Sequence, residues 1–93
     1  MKKILKKLSE DKESSVRACV ARNSKCPLDI LKKLSEDKDK YVRLHVAENP
    51  NCPLDILEKL ANPETEKYER VRSQAKKTLQ SLKNLKNKKQ NTR

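Results

Sequence analysis

The sequence contains no glycine, no phenylalanine and no tryptophan. Without glycine it has neither a Gly-rich loop that could cradle phosphate groups nor the Gly-x-Ser-x-Gly turn that presents a nucleophilic serine. Tight turns that need a positive φ must use Asn or Asp, the next most tolerant residues. Without Phe or Trp, a globular centre lacks its usual large anchors. We therefore expect no enzyme activity and a thin core of aliphatic side chains.

Long hydrophobic runs are also missing, since only 33% of the residues are hydrophobic and 40% are charged. No stretch approaches the roughly 20 apolar residues that span a bilayer. The start of the chain is basic, but lysines interrupt its apolar residues, so it does not resemble a targeting segment. Three cysteines without a secretory signal predict free thiols and a reducing, cytoplasmic location. We expect no membrane association.

Acidic residues are missing from one end of the chain. The net charge is +11, yet residues 1–69 carry 15 Lys or Arg against 13 acids, whereas residues 70–93 carry nine Lys or Arg and no acid. The basic character therefore belongs to the C-terminal end.

The sequence does contain a repeat of 26 residues. ILKKLSEDK at residues 4–12 returns at residues 30–38, and CPLDIL at residues 26–31 returns at residues 52–57. When residues 4–34 are aligned with residues 30–60, 22 of 31 positions are identical. A fixed period of this length indicates a repeat architecture, in which each unit buries its apolar face by stacking on the next.

The residue pattern within each unit predicts two short helices. Pro27 and Pro53 suit the first position of a helix, where a missing N–H loses no hydrogen bond. Leu31 and Leu57 lie on the apolar arc of that first helix. The second helix of each unit carries valines one turn apart.

Asn23 and Asn49 follow the second helices of the first two units. Asn is the best available substitute for Gly at a left-handed helix cap. The sequence therefore predicts that these two residues end the helices in a left-handed conformation.

This pattern resembles the leucine-rich repeat variant family. The resemblance covers about residues 4–79 and depends on Val-Arg-x-x-Val-Ala-x-Asn followed by Pro and a Leu-rich helix. The matching residues are Val16, Arg17, Val20, Ala21, Asn23, Pro27, Leu31, Leu34, Asp37, Val42, Arg43, Val46, Ala47, Asn49, Pro50, Pro53, Leu57 and Leu60. The resemblance implies a right-handed superhelix of alternating α and 3₁₀ helices without strands. It implies no general activity.

The predicted fold is therefore an all-α, right-handed helical repeat solenoid with a C-terminal capping helix. Residues 1–82 form one repeat domain, with units at about 1–25, 26–51 and 52–82. The third unit has three extra residues around positions 62–69, which enlarge one loop. Residues 83–93 are expected to form a basic, disordered tail.

Arginines recur with acids at a fixed offset. Arg17 and Arg43 each follow an Asp by six residues, and Arg72 follows Glu66 by the same offset. We expect these arginines to pair with those acids and hold the bend between helices. An equally consistent alternative is that the arginines face a ligand.

Cys19, Cys26, His45 and Cys52 resemble a set of metal ligands. Equivalent positions in stacked helical units lie about 8–10 Å apart, too far for ligands that share a zinc ion at about 2.0–2.3 Å or for a disulfide. We expect no metal site.

Cys26 and Cys52 stand at helix N-termini, where the dipole favours a thiolate. The interpretation that we prefer is that Cys replaces Ser or Thr at a capping position.

The basic C-terminal segment is the strongest hint of function, because phosphate binding needs clustered cations. It contains no aromatic residue to stack on bases, so sequence-specific reading of single strands is not expected. The alternative is that it only aids solubility. The candidate polyanion-binding residues are Arg70, Arg72, Lys76, Lys77, Lys83, Lys86, Lys88, Lys89 and Arg93.

From these features we expect a non-catalytic helical-repeat module for protein–protein interaction or scaffolding. Its partner would be another protein or a second copy of the chain, because truncated repeat stacks expose apolar surface at their ends. The alternative is sequence-independent binding of nucleic acid or another polyanion through the basic end. No cofactor and no small-molecule substrate are expected.

Overall fold

The computed structural model describes the backbone of residues 2–91 and the side chains of residues 3–85. Within that range the chain forms six α-helices and no strand, which confirms the all-α prediction. The helices are α1 (Lys2–Ser9), α2 (Ser14–Arg22), α3 (Leu28–Leu34), α4 (Lys40–Glu48), α5 (Leu54–Ala61) and α6 (Glu69–Asn91). Two of these helices begin in each predicted unit.

The first helix of a unit begins directly after its proline. Pro27 and Pro53 have extended backbones, with ψ near 150°, so α3 and α5 begin at the following leucine. The carbonyl of Pro27 accepts the N–H of Ile30 at 3.1 Å and that of Leu31 at 3.0 Å. Proline therefore stands one position before the first helical residue, and its carbonyl starts the helical hydrogen bonds.

The second helices are α-helical like the first, so the described residues do not show the alternation of α and 3₁₀ helices that the family resemblance implied. α2 and α4 each have nine residues, whereas 3₁₀ runs longer than three or four residues are uncommon. Hydrogen bonds join residues four apart at their starts, from Arg17 N–H to Glu13 O at 3.2 Å and from Arg43 N–H to Asp39 O at 3.3 Å.

Asn23 and Asn49 do not adopt the predicted left-handed conformation. Both have extended backbones, with φ of −68° and −72°. Each side-chain oxygen instead accepts the N–H two residues later, that of Lys25 at 2.8 Å and that of Asn51 at 2.9 Å. The asparagines close a side-chain turn, so the chain leaves the helix without a positive φ.

The helices pack as stacked pairs, as a helical repeat requires. α4 lies between α2 and α6, and α1 and α5 pack against α2 and α6 respectively. One continuous apolar cluster runs through all three units, with Leu31 and Leu57 fully buried within it. The right-handed superhelix remains a prediction of the resemblance.

α6 is longer than the other helices. It reaches Asn91, so residues 83–91 continue the capping helix, whereas the sequence predicted a disordered tail from residue 83. No Pro or Gly interrupts this stretch, and Lys, Leu and Gln favour helix. Residues 92–93 lie outside the described residues. Within the part of the chain that the structure describes, no helix combines the length and hydrophobicity needed to cross a membrane.

Candidate functional site

Arg17 joins the first unit to the second. Its Nε donates to Asp37 Oδ2 at 2.8 Å and its Nη2 donates to Asp37 Oδ1 at 3.1 Å. Its Nη1 donates to the backbone carbonyl of Asp11 at 2.8 Å. The predicted ion pair with the Asp11 carboxylate is therefore wrong: the arginine contacts that residue through the backbone and pairs with the next unit.

Arg43 repeats the same contacts one unit later. It forms a two-point ion pair with Glu66, with Nε to Oε1 at 2.7 Å and Nη2 to Oε2 at 3.0 Å. Its Nη1 donates to Asp37 O at 2.6 Å. Arg72 likewise donates to Glu66 O at 2.8 Å. Arg17 and Arg43 each join two units, and we call each of these two sets of contacts a clamp, whereas the Arg72 bond lies within the third unit.

The clamps change the acid–base properties of their members. Burial on its own would raise the pKa of Asp37, but hydrogen bonds from Arg17 and from the Asp39 N–H outweigh it and hold that pKa below its usual value. The hydrogen bonds to Asp37 and Glu66 raise the pKa values of Arg17 and Arg43 respectively. Both arginines are permanently charged and already paired, which argues for a structural role instead of ligand binding.

A second set of polar contacts also crosses from unit to unit. The Asn49 amide nitrogen donates to Ala21 O at 2.8 Å and to Asn23 O at 3.0 Å. In the next unit, Thr78 Oγ1 donates to Ala47 O at 2.6 Å. One carbonyl in the last turn of each helix, Ala21 O in α2 and Ala47 O in α4, is therefore satisfied by the following unit.

The most distinctive surface feature is a cleft of about 230 Å³ between α4 and the start of α6. Tyr41 and Tyr68 line it and remain 52% and 47% exposed. Leu44 and Val71, both buried, also line it. We call this feature the tyrosine cleft; the remaining lining residues are Lys40, Glu69 and Arg70.

Cations surround the two rings of the tyrosine cleft. The Lys40 ammonium lies 4.8 Å from the centre of the Tyr68 ring and 5.5 Å from that of Tyr41. The Arg43 guanidinium lies 5.5 Å from the Tyr68 ring. Cations this close are attracted to the negative faces of the rings and hold their orientation. Half-exposed tyrosines on an apolar base can bury apolar groups and offer hydroxyls for hydrogen bonding.

The predicted polyanion-binding residues that the structure describes lie along α6 in different surroundings. Arg70 lines the tyrosine cleft, Arg72 is half-buried and donates to Glu66 O, and Lys77 lies in a groove beside Leu82 and Leu85. Two further members, Lys76 and Lys83, are exposed on α6. The side chains of Lys86, Lys88 and Lys89, and all of Arg93, lie outside the described residues.

The two cysteine thiols at the start of the second and third repeat units are buried. Cys26 and Cys52 are 5% and 3% exposed, whereas Cys19 is exposed. Burial, reinforced by Asp29 and Asp55 respectively, raises the pKa of the Cys26 thiol to about 11 and that of Cys52 to about 12. Both are protonated at neutral pH, which opposes the thiolate hypothesis and favours a packing role.

His45 and the cysteines do not converge. His45 Nδ1 lies 2.8 Å from Glu48 Oε1, its neighbour on α4. Among the residues that the structure describes, no three His, Cys, Asp or Glu side chains form a group that could hold a metal ion.

The central part of this stack matches a known family of repeat proteins. The family model described as leucine rich repeat variant matches residues 42–62, which run from α4 through α5. Residues 42–62 are therefore similar to a leucine rich repeat variant unit. This confirms the predicted resemblance for that segment and agrees with the helical packing on either side. No curated protein and no solved structure matches the chain.

The sequence analysis missed the tyrosine cleft. It noted that residues 70–93 contain no aromatic residue, but the fold places Tyr41 and Tyr68 beside Arg70. The repeat period could have indicated from the sequence that the two tyrosines lie close to Arg70. Once the insertion is counted, Tyr41 occupies the same position in its unit as Arg70, and Tyr68 the same position as Asp39.

Proposed function

We propose that this protein is a non-catalytic helical repeat module that binds another protein through the tyrosine cleft. The observation that supports this is the pair of half-exposed tyrosines over Leu44 and Val71. Tyrosine and arginine are enriched among the residues that dominate protein–protein affinity. The clamps and buried thiols serve the stack, whereas the exposed tyrosines of the cleft have no such role and are available to a partner.

The cleft also favours a particular kind of partner. Lys40 and Arg70 provide two cations and Glu69 one acid, so the rim is positive by one charge. A segment that inserts an apolar side chain between the rings and carries a carboxylate next to it would match both features. We therefore expect the bound segment to be apolar and acidic.

Capture from native lysate tests this proposal. The double variant Tyr41→Ser, Tyr68→Ser should lose the proteins that the unmodified chain retains, because both apolar anchors are removed. Leu54→Ser is the matched control, since Leu54 is an exposed apolar residue on α5 outside the cleft. Nuclease treatment should leave capture unchanged. Equal capture by the double variant and the control would contradict the proposal.

A second candidate function is sequence-independent binding of nucleic acid, favoured by the exposed Lys76, Lys77 and Lys83 on α6. Such binding depends on counterion release and weakens steeply with salt. Neutralising Lys76 and Lys77 to Gln should weaken binding to duplex DNA or RNA and flatten its salt dependence. Lys6→Gln with Lys32→Gln removes equal charge from α1 and α3 and should have less effect. Absence of binding at low salt would exclude this function.

A further inference from the structure

A second hollow lies beside the tyrosine cleft, between α2 and α4. Its volume is about 400 Å³, and Ala18, Cys19, Arg22 and Tyr41 are among the residues that line it. We call this space the α2–α4 hollow. Tyr41 also lines the tyrosine cleft, so the two spaces meet at this residue. A ligand bound in the tyrosine cleft can therefore continue across Tyr41 into the hollow.

The repeat explains why both spaces lie on the same side of the stack. α2, α4 and α6 are the second helices of their units, and they pack side by side in that order. Ala18 occupies the same position in its unit as Leu44, and both residues are buried where they line their spaces. Packed helices lie about 8–10 Å apart, so the two spaces repeat at about that distance.

This spacing matches a segment in the polyproline II conformation. Such a segment has about three residues per turn and rises about 3.1 Å per residue, so its side chains at i and i+3 lie on one face about 9 Å apart. In a β-strand the side chains that share a face are two residues apart, at about 6.6 Å, and residues i and i+3 point to opposite faces. Only the first conformation places one side chain in each space while the chain stays extended.

Hydrogen bonding favours the same conformation. Tyr41 and Tyr68 are half-exposed and carry hydroxyl groups that can donate. A polyproline II segment has no internal hydrogen bonds, so its carbonyls are free to accept from these hydroxyls. The carbonyls inside an α-helix are already used by the helix itself.

The exposed charges favour an acidic segment. Arg22 lines the α2–α4 hollow, Lys40 and Arg70 line the tyrosine cleft, and all three are exposed. Glu69 is the one acid that lines either space. None of the ion pairs among the described side chains includes any of these three cations. Carboxylates of a bound segment could therefore pair with them without displacing an acid of the protein.

We infer that the tyrosine cleft and the α2–α4 hollow together bind an acidic, proline-containing segment of another protein in the polyproline II conformation, with one proline in each space. This deepens the proposed function and rests on it, adding the conformation and composition of the bound segment and a second contact site. Proline suits both spaces because its ring fixes φ at about −65°, so the segment loses little conformational entropy on binding. Aromatic-lined grooves are a recurring way to bind such segments.

Selection from a random peptide library, with the full chain as target, tests this inference. Enriched peptides should carry prolines at i and i+3 with Asp or Glu beside them. The double variant Tyr41→Ser, Tyr68→Ser is the reference target and should not enrich these peptides. Enriched peptides that lack this spacing of prolines, or no enrichment above the reference target, would overturn the inference.

Titration of an enriched peptide against single variants tests the second contact site. Cys19→Glu should raise the dissociation constant by about tenfold or more, because it places a carboxylate in the α2–α4 hollow beside an acidic ligand. Gln80→Glu is the matched control: it adds the same charge at an exposed position on α6 outside both spaces, and its affinity should equal that of the unmodified chain. Circular dichroism should show the same helix content in both variants. Equal affinities of the two variants would show that the hollow is not used.

Failure of this inference is distinguishable from failure of the proposed function. If the tyrosine double variant loses its captured proteins while the selected peptides lack proline or ignore Cys19→Glu, the cleft binds a partner of another conformation. If the double variant captures as much as its control, the cleft itself is not the binding site.

Discussion

A single arginine side chain can bind its own unit and the next one at once, as Arg17 and Arg43 show. The planar guanidinium gives one N–H to a carbonyl six residues earlier and two to a carboxylate of the following unit. The Arg17–Asp37 side chains are only 12% and 10% exposed, so water screens them little. Charge-assisted hydrogen bonds of this kind contribute about 1.5–3 kcal/mol. The Lys33–Glu10 pair, 58% and 50% exposed, contributes about 1 kcal/mol at most.

For the Arg17–Asp37 pair we predict that Asp37→Asn lowers the free energy of unfolding by about 2 kcal/mol at neutral pH. The folded pKa of Asp37 is depressed, so its contribution is present above the unfolded value of about 3.9 and is lost as pH falls through the folded value. Stability of the unmodified protein should therefore decline on acidification below about pH 5, and that of Asp37→Asn should decline less. Denaturant titrations at several pH values measure both.

Glu10→Gln is the control for the clamp, because it removes an exposed ion pair between the same two units. It should change stability by less than about 1 kcal/mol. Equal losses in Asp37→Asn and Glu10→Gln would contradict a special role for the clamp.

Helix ends in this molecule are completed by the neighbouring unit. Ala21 O in the last turn of α2 and Asn23 O just after it accept hydrogen bonds from the Asn49 amide, and Ala47 O of α4 accepts one from the Thr78 hydroxyl. Since Asn49 also accepts the Asn51 N–H, one buried side chain closes its own turn and ends a helix in the preceding unit. Neither helix needs glycine at its end, which explains how the chain forms these turns without any.

We predict that Asn49→Ala lowers the free energy of unfolding by about 2–3 kcal/mol, because it leaves the Ala21 carbonyl buried without its donor. Asn23→Ala should lower the free energy of unfolding by about 1 kcal/mol or less. Asn23 closes the same kind of turn with the Lys25 N–H, but the part of the chain that the structure describes contains no unit before it. Urea unfolding of both variants measures the difference, and equal losses would show that the cross-unit bonds contribute little.

The whole molecule has one core distributed along a line. Its apolar cluster continues from Leu5 in α1 to Ala75 in α6, while the molecule is only 16 Å thick along its shortest axis. Among the described residues no unit has a separate apolar cluster, so each unit depends on the contacts at its boundaries. Such a stack of three units behaves as one cooperative body when the boundary contacts are strong compared with the stability of each unit alone.

We therefore predict a single unfolding transition. Cys26 lies at the boundary of the first and second units, and Cys52 at that of the second and third. Pulsed thiol labelling along a denaturant series should expose both at the same midpoint. That midpoint should match the one reported by tyrosine fluorescence. Cys19, which is exposed, should label at every concentration and serves as the internal control. Earlier labelling of Cys26 than of Cys52 would show that the first unit unfolds separately.

The helical repeat itself was predictable from residues that act within one unit. Pro27 and Pro53 mark helix starts, and the spacing of Leu31 and Leu34 identifies a buried face, because both effects depend only on neighbours along one helix. The 26-residue period then implies that equivalent faces meet. The all-helical structure follows from these local features and is confirmed for the described residues, and the family resemblance is confirmed for residues 42–62.

The partners across unit boundaries were decided only by the tertiary structure. Arg17 has one acid six residues before it and another 20 residues after it, and nothing local distinguishes them; stacking brings Asp37 to its guanidinium and leaves Asp11 to contribute its backbone. The same holds for Tyr41 and Tyr68, which are 27 positions apart in the chain and share one cleft. Contacts along a helix are determined by sequence spacing, whereas contacts between helices depend on how far each unit is shifted and rotated against the next.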